Sequence, residues 1–391
     1  MKLLTFSTLF PNAERPHHGI FVETRLRHLV ASGEAVSRVV APVPWFPFRH
    51  PRFGQYARFA KVSNEETRFN LNVTHPRYAL LPKIGMTAAP FLLAHAMKPV
   101  IRRIIDEGYD FDLIDAHYFY PDGVAAAMLG RYFNKPVVIT ARGTDITFIP
   151  QYRLPRKMIQ WAAKQAAGIV TVCEALKAEI VTLGVDANRI VALRNGVDLT
   201  LFQPLDREAM RKQLRLHQFT LLSVGNLVPV KGHDLIIAAL PMLKDVCLMI
   251  AGSGPELPRL QALATQLGVA DRVRFLGGLP QTELRNFYCA ADALVLASSR
   301  EGWANVLLES MACGTPVVAS NVWGTPEVVA SAEAGVLMQE RSAEGIAAAI
   351  RTLQAQYPER AATRRYAERF SWDETTAGQL KLFRSIVGKG R

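Results

Sequence analysis

The sequence predicts an α/β protein of two domains, and three observations lead there. Apolar runs of strand length alternate with stretches of helical spacing along the whole chain. Its 391 residues are long for one domain and comfortable for two. Its composition, 49% hydrophobic and 20% charged, is that of a globular protein with a sizeable core. No apolar run reaches the length of a membrane span, and Met1–Phe10 has neither the basic start nor the long apolar core of a secretory signal. There are no repeats and no low-complexity segments. Cys173, Cys247, Cys289 and Cys313 are scattered in apolar segments without CxxC or metal spacing, which predicts reduced core thiols and a cytosolic setting.

In the first half, Lys2–Ser7 reads as a buried strand. A loop with Pro11 and Pro16 follows, and Gly19 opens a helix over 20–31, a junction where a glycine permits close backbone approach to a ligand. Val36–Ala41 is the second strand, and the Pro-, aromatic- and Arg-rich stretch 42–62 is expected to be irregular. An apolar helix follows over 86–105. Phe111–Ala116 is a strand with His117 at its C-terminal end, the edge at which open α/β sheets bind ligands. Asp110-x-Asp112 has the spacing of a DxD metal pair, but it precedes the strand, so no metal site is expected. Lys135–Thr140, Ala167–Thr171 and Ile190–Ala192 complete the strands of this half.

In the second half, strand Thr220–Val224 leads through Gly225-Asn226 to Lys231-Gly232 and a helix. An ammonium between strand and helix suits phosphate. Strand Val246–Ala251 ends in Gly252-Ser-Gly254, a tight turn with too few glycines for a dinucleotide fingerprint. Val273–Leu276 ends at Gly277-Gly278, and Ala293–Ala297 leads into EGWANVLLESMACGTPV, from Glu301 to Val317. Glu301 falls on the loop before a helix that Gly314 and Pro316 stop, and Glu309 falls on that helix. The first turn offers unpaired N–H groups and partial positive charge, a seat for phosphate. A carboxylate accepts hydrogen bonds from adjacent hydroxyls, as in a ribose or hexose diol. A phosphate seat between two diol readers outlines a sugar-nucleotide site.

Glu301, seven residues and Glu309 are also where the chain resembles a known family. With a strand before it and Ala312-Cys-Gly-Thr-Pro-Val-Val-Ala-Ser320 after it, the block resembles the Glu-x7-Glu motif of the family 4 retaining glycosyltransferases, which have the GT-B fold. The likeness takes in Asn195-Gly-Val-Asp198, Lys231-Gly232 and Trp323-Gly-Thr-Pro-Glu327, and is densest from Gly225 to Glu327. It implies two Rossmann-like domains facing a central cleft: residues 1–205 for the acceptor, 206–370 for the nucleotide sugar, and 371–391 as a C-terminal helix packing back on the first domain. It implies that Glu301 contacts the transferred sugar and Glu309 grips the ribose. Lys231, with the strand-end residue Asn226, would clamp the diphosphate. Gly19 would lie under the diphosphate, and Gly277 where main-chain groups read the base. Backbone groups of Trp303, Ala304, Asn305 and Val306 would bracket the donor. It places His117 as the catalytic group orienting donor sugar or incoming hydroxyl, with Arg142 and Asp145 on the acceptor side. The chain departs from the family pattern in four places. Gly19 lacks the usual second glycine, and Ala304 replaces a usual Gly or Pro. Arg142 stands where the family usually has His, which suits an anionic acceptor. Asn226 replaces the usual Arg, so one phosphate cation is missing unless Arg142 or Arg15 compensates.

The resemblance implies transfer of a hexose-type sugar, with retention, from a uridine or guanosine diphosphate sugar to a saccharide or lipid-linked saccharide in cell-surface polysaccharide or glycolipid synthesis. No metal and no cofactor beyond the co-substrate is expected. Two other readings use the same residues. A sugar-nucleotide 2-epimerase needs extra acid/base carboxylates that the first half does not suggest. A non-catalytic sugar-nucleotide-binding subunit is favoured by Asn226 and opposed by intact His117, Lys231, Glu301 and Glu309. The net charge of +12 is concentrated in residues 1–105, with 15 Lys/Arg against 5 Asp/Glu. No nucleic-acid motif accompanies it. Trp45, Phe46, Phe48 and Phe53 beside Arg49, Arg52, Arg58 and Lys61 predict peripheral contact with an anionic membrane at its inner face.

Overall fold

Strands that are apolar on both faces must be covered on both faces, and in this chain they build two parallel sheets. A computed structural model describes residues 1–80 and 85–388. Lys83, one of the cations of the basic first half, lies outside the described residues. The chain divides into one unit of residues 1–194 together with the segment from Asp373 onward, and a second unit of Asn195–Trp372.

The first unit holds β1 (Lys2–Phe6), β2 (Val36–Val40), β3 (Val43–Pro44), β4 (Glu65–Arg68), β5 (Leu71–Thr74), β6 (Arg77–Tyr78), β7 (Leu113–His117), β8 (Val137–Ala141), β9 (Gly168–Thr171) and β10 (Ile190–Ala192). Eight of them form one sheet in the order β10-β9-β8-β7-β1-β2-β5-β4, with β3 and β6 pairing separately. All pairs in the large sheet are parallel except β4–β5. The order reverses between β1 and β7, where right-handed crossovers leave in opposite directions and helices cover opposite faces. On one face, helix Ile20–Ala31 and the C-terminal helix Trp372–Val387 contribute Leu26, Leu29, Leu380 and Phe383 to a core with Leu3, Leu113 and Val138. Helices Ala89–Asp106, Val124–Phe133 and Arg153–Gln165 pack side by side.

The expected strands and the helix over 20–31 are present within one or two residues of their predicted ends. The stretch expected to be irregular contains β3 and a helix, Gln55–Lys61. The β4–β5 hairpin had no signal in the sequence for a physical reason. Its two-residue turn, Phe69-Asn70, has both residues at positive φ, 47° and 63°, as a type I′ turn requires. A phenylalanine there hides a turn that Asn-Gly would announce.

The second unit holds β11 (Phe219–Val224), β12 (Val246–Ala251), β13 (Val273–Gly277), β14 (Ala293–Leu296), β15 (Val317–Ser320) and β16 (Gly335–Met338). The order is β13-β12-β11-β14-β15-β16, parallel throughout. This is the doubly wound dinucleotide-binding order, with its reversal between β11 and β14. The division between units falls at Arg194/Asn195, ahead of the expected boundary at residue 205. Residues 195–205 are tied to the second unit: Arg364 Nη1 donates to the Phe202 carbonyl (2.6 Å) and Arg285 Nη1 to that of Leu201 (3.4 Å). The two ends of this unit lie side by side. Val197 N–H donates to the Phe370 carbonyl (3.0 Å), and a Cβ on Gly196 would sit 2.5 Å from Trp372 N.

One close approach fixes the ends of β11 and β12. Gly252 has φ +156°, and a Cβ there would lie 1.8 Å from the Gly225 carbonyl oxygen. Gly252→Ala is therefore expected to cost on the order of 2 kcal/mol or more in urea denaturation. An unchanged midpoint would show that this strand end can shift freely.

Candidate functional site

In the second unit the two loops that flank the strand-order reversal carry the candidate residues. After β11 the chain passes Gly225 and the exposed Asn226 to reach Lys231. The methylenes of Lys231 run 3.6 Å from the place a Gly225 Cβ would occupy. Gly232, at φ +67°, presses the same loop against the end of β14, since a Cβ there would lie 2.2 Å from the Ala297 carbonyl oxygen. This contact brings Lys231 Nζ to 2.5 Å from Glu301 Oε1, a partly buried ion pair. Arg341 Nε donates to that same Ala297 carbonyl (2.7 Å). Arg341 is thus a further cation beside the Lys231 loop, one that the sequence did not single out.

Glu309 lies on helix Asn305–Ala312 and is buried. Its Oε2 accepts from Tyr288 Oη (2.8 Å) and its Oε1 from Gln281 Nε2 (3.0 Å). Burial pushes the Glu309 carboxyl and the Tyr288 phenol above their usual values. Both partners come from helix Gln281–Ala290, which starts just after the exposed Gly277 and Gly278. Trp303 and Ala304 are buried ahead of the helix, and no side chain caps its first turn. Asn305 Oδ1 accepts from Asn195 Nδ2 (3.2 Å), and Val306 is half-buried. Beneath this loop, His233 Nδ1 pairs with Ser223 Oγ (3.0 Å), and burial pushes its pKa down to about 4, so it is neutral.

In the first unit, β7 carries Asp115 and His117 on one side, two residues apart. Arg142 follows β8, whose Thr140 is in register with His117. Arg142 Nη2 lies 2.8 Å from His117 Nδ1. A guanidinium only donates, so Nδ1 accepts and the ring proton sits on Nε2, 3.2 Å from Asp115 Oδ2. Burial pushes the imidazole down; Asp115 pulls it up and Arg142 adds to the lowering, leaving a neutral ring. Burial would raise Asp115, yet His117 and then the Arg25 and Arg142 charges hold it below the usual carboxylate range. Arg25, itself buried, donates to Gln379 Oε1 (3.0 Å) and the Leu193 carbonyl (3.2 Å), and burial lowers it to about 10. Both His117 nitrogens therefore face charged neighbours inside the unit, although among the described residues neither Asp115 oxygen makes a hydrogen bond.

Asp145 turns inward. It accepts from the backbone N–H groups of Phe119 (2.6 Å), Gly143 (2.7 Å) and Arg142 (3.1 Å), so it shapes the loop that presents Arg142. Gly19 has φ +69°, and a Cβ would lie 2.3 Å from the Leu9 carbonyl oxygen. Its close approach is to the loop's own backbone. Arg15 Nη2 is held by His18 Nδ1 (2.8 Å). Asp110 pairs with Lys135 Nζ (2.7 Å) and Asp112 accepts from Lys2 N–H (2.8 Å), at the sheet edge opposite His117. Among the described residues no three His, Cys, Asp or Glu side chains gather as metal ligands.

The sequence did not single out Asp115, Asp122, Gln281, Tyr288 or Arg341. Only Asp115 left a clear trace, as a carboxylate inside an apolar strand. Asp122 is fully buried, accepts from Thr8 N–H (2.7 Å) and Oγ1 (2.9 Å), and burial pushes its pKa up from 3.8 to about 7. The folded state thus binds this proton more tightly, so its contribution is complete below about pH 4 and lost as pH rises through about 7. The stability of the wild type relative to Asp122→Asn is expected to fall across that window in denaturation at stepped pH. A constant difference would contradict the buried proton.

Comparison with known proteins also divides the chain in two, with the break between residues 201 and 206, at the boundary expected from the sequence. Residues 206–370 match the family described as glycosyl transferases group 1, and residues 63–201 match Glycosyltransferase Family 4. A D-inositol 3-phosphate glycosyltransferase of Geodermatophilus obscurus is 39% identical over 208 residues, 49% of this chain and 46% of the relative. The chain thus matches about half the length of several such relatives. The D-inositol 3-phosphate glycosyltransferase 1 of Catenulispora acidiphila is 30% identical over 72% of this chain and 74% of the relative. A putative teichuronic acid biosynthesis glycosyltransferase of Bacillus subtilis, TuaC, is 29% identical over 90% and 88%. Among solved structures, sucrose-phosphate synthase from Thermosynechococcus elongatus superposes with TM-score 0.83 at 20% identity over 99% of both chains. Anabaena HepE in complex with UDP gives 0.75 at 20% identity over 98% of this chain and 100% of that one. Fold, sequence and the paired Rossmann-like sheets agree: the chain belongs to the family 4 glycosyltransferases and has the GT-B fold.

Proposed function

We propose that this chain is a retaining glycosyltransferase that moves a hexose-type sugar from a nucleoside diphosphate sugar to a saccharide or lipid-linked saccharide. The observation that carries the reading is the Lys231–Glu301 pair at the reversal point of the second sheet, with Glu309 on the helix that follows. In this reading the donor diphosphate takes over Lys231, exchanging one anion for another, and frees Glu301 for the sugar hydroxyls. The first-turn N–H groups at Asn305 and Val306 face the phosphates. Glu309 exchanges its Tyr288 and Gln281 bonds for the two ribose hydroxyls.

The acceptor oxygen bonds to the anomeric carbon on the face from which the diphosphate oxygen leaves, and the acceptor proton passes to that departing oxygen. The negative charge that develops there is met by Lys231 and the helix N-terminus, fixed groups that need no metal. In the first unit, His117 and Arg142 lie at the sheet reversal and take the acceptor side. A guanidinium suits an anionic acceptor, and several relatives carry inositol phosphate in their names. The name of TuaC supports a role in cell-surface polysaccharide. The exposed Trp45 and Phe48 among cations support contact with an anionic membrane. Asn226 favours a non-catalytic nucleotide-sugar-binding subunit, a reading that Arg341 weakens.

A thermal-shift screen with uridine, guanosine and adenosine diphosphates is the direct test. At a hundredfold excess over Kd, a bound nucleotide adds about 2.7 kcal/mol, a rise of several degrees. One base is expected to raise Tm in the wild type, with the rise lost in Glu309→Gln and in Lys231→Ala. A flat response to all three would overturn the donor site. With the matching sugar donor, proton NMR of the product is expected to show the donor's anomeric configuration, and the opposite anomer would overturn retention.

A further inference from the structure

Among the described residues, three helices of the first unit leave a groove uncovered. Phe91, Val124, Met128, Leu154, Met158, Trp161 and the stem of Lys157 line it, and its walls present only apolar atoms. On helix 124–133, Val124 and Met128 are four residues apart. On helix 153–165, Leu154, Met158 and Trp161 repeat at helical spacing. A second element would ordinarily bury such stripes, yet Phe91 and Leu154 stay 52% and 54% exposed. The surrounding charge is predominantly positive. Helix 153–165 carries Arg153, Arg156, Lys157 and Lys164 and no carboxylate, and helix 124–133 carries Arg131 and none. On helix 89–106, Lys98, Arg102 and Arg103 outnumber Asp106.

Helices that alternate with parallel strands run opposite to them, so all three begin at the sheet edge where the strands end. Phe91, Val124 and Leu154 fall in the first turns of their helices, at the edge that also carries His117. The groove therefore opens on the ligand-binding edge, with Arg153 and Arg156 exposed at its mouth.

We propose that this groove seats an acyl chain of an anionic phospholipid of a bilayer, with the lipid phosphate against Arg153, Arg156 and Lys157. Apolar lining with a cationic rim is the complement of that molecule, whereas a protein partner would have to supply matching carboxylates. The proposal rests on the membrane contact of the proposed function, assigns a groove to it, and can be tested without turnover.

The experiment is sedimentation of the full chain with vesicles of phosphatidylcholine, alone or with one part in three of phosphatidylglycerol. The wild type is expected to sediment with the anionic vesicles, and added salt to weaken this. Phe91→Ser/Leu154→Ser and Arg153→Glu/Arg156→Glu are each expected to weaken binding about tenfold. All four side chains are exposed, so the fold is retained, and the nucleotide-induced rise in Tm should persist in both variants as the check on it. Trp45→Ser/Phe48→Ser tests the neighbouring aromatic stretch. No sedimentation of the wild type, groove variants that bind as the wild type does, or loss confined to the Trp45/Phe48 variant would each overturn the proposal. A flat nucleotide response beside intact groove-dependent sedimentation would instead overturn the donor site alone.

Discussion

A parallel sheet whose strand order reverses beside its first strand forces two neighbouring loops apart at the strand ends, and polar chemistry in this chain collects at that opening in both units. In the second unit the opening lies between β11 and β14. Two glycines set its width: Gly225 lets the Lys231 side chain lie flat over the backbone, and Gly232 presses the Lys231 loop onto the end of β14. The ion pair with Glu301 follows from that contact. A partly buried ammonium or carboxylate left alone there would be costly, so each is the other's natural partner until an anion replaces one of them.

The first unit solves the same problem with more burial and more charges. Arg25, Asp115, His117 and Arg142 are all nearly inaccessible to water, and burial with the two guanidiniums outweighs the Asp115 carboxylate and leaves the imidazole neutral. Their bonds run from the sheet centre to the C-terminal helix through Gln379 and to the end of the unit's first segment through Leu193. The cluster is held by charge as much as by hydrogen bonds, since among the described residues Arg25 Nη2 and both Asp115 oxygens are buried without a hydrogen-bond partner, while the Arg142 contact fixes the tautomer of His117.

Much of the fold could be read from the sequence because strands of a doubly wound sheet are continuous apolar runs. Val246–Ala251, Ile190–Ala192 and the helix Ile20–Ala31 stand where their patterns put them. What escaped were features without a pattern of their own. The Phe69-Asn70 turn uses residues that do not announce positive φ. The site was legible where one segment carried it, as with Glu301 and Glu309. Tyr288 and Gln281, which hold Glu309, sit on another helix, and Arg341 comes from a more distant loop. Hydrogen bonds between separate elements leave no periodic trace, so only the folded chain reveals them.

The second unit is one uninterrupted segment set into a first unit made of two. Val197 and Phe370 are joined by a backbone hydrogen bond, and Gly196 rests on the backbone of Trp372, so its entry and exit strands are already paired. A chain whose ends meet gives up little entropy when it is lifted out, closed on itself or given new termini elsewhere. The span 195–372 therefore has the properties of a cassette. It could be exchanged between homologues as one piece of coding sequence, with its two junctions side by side.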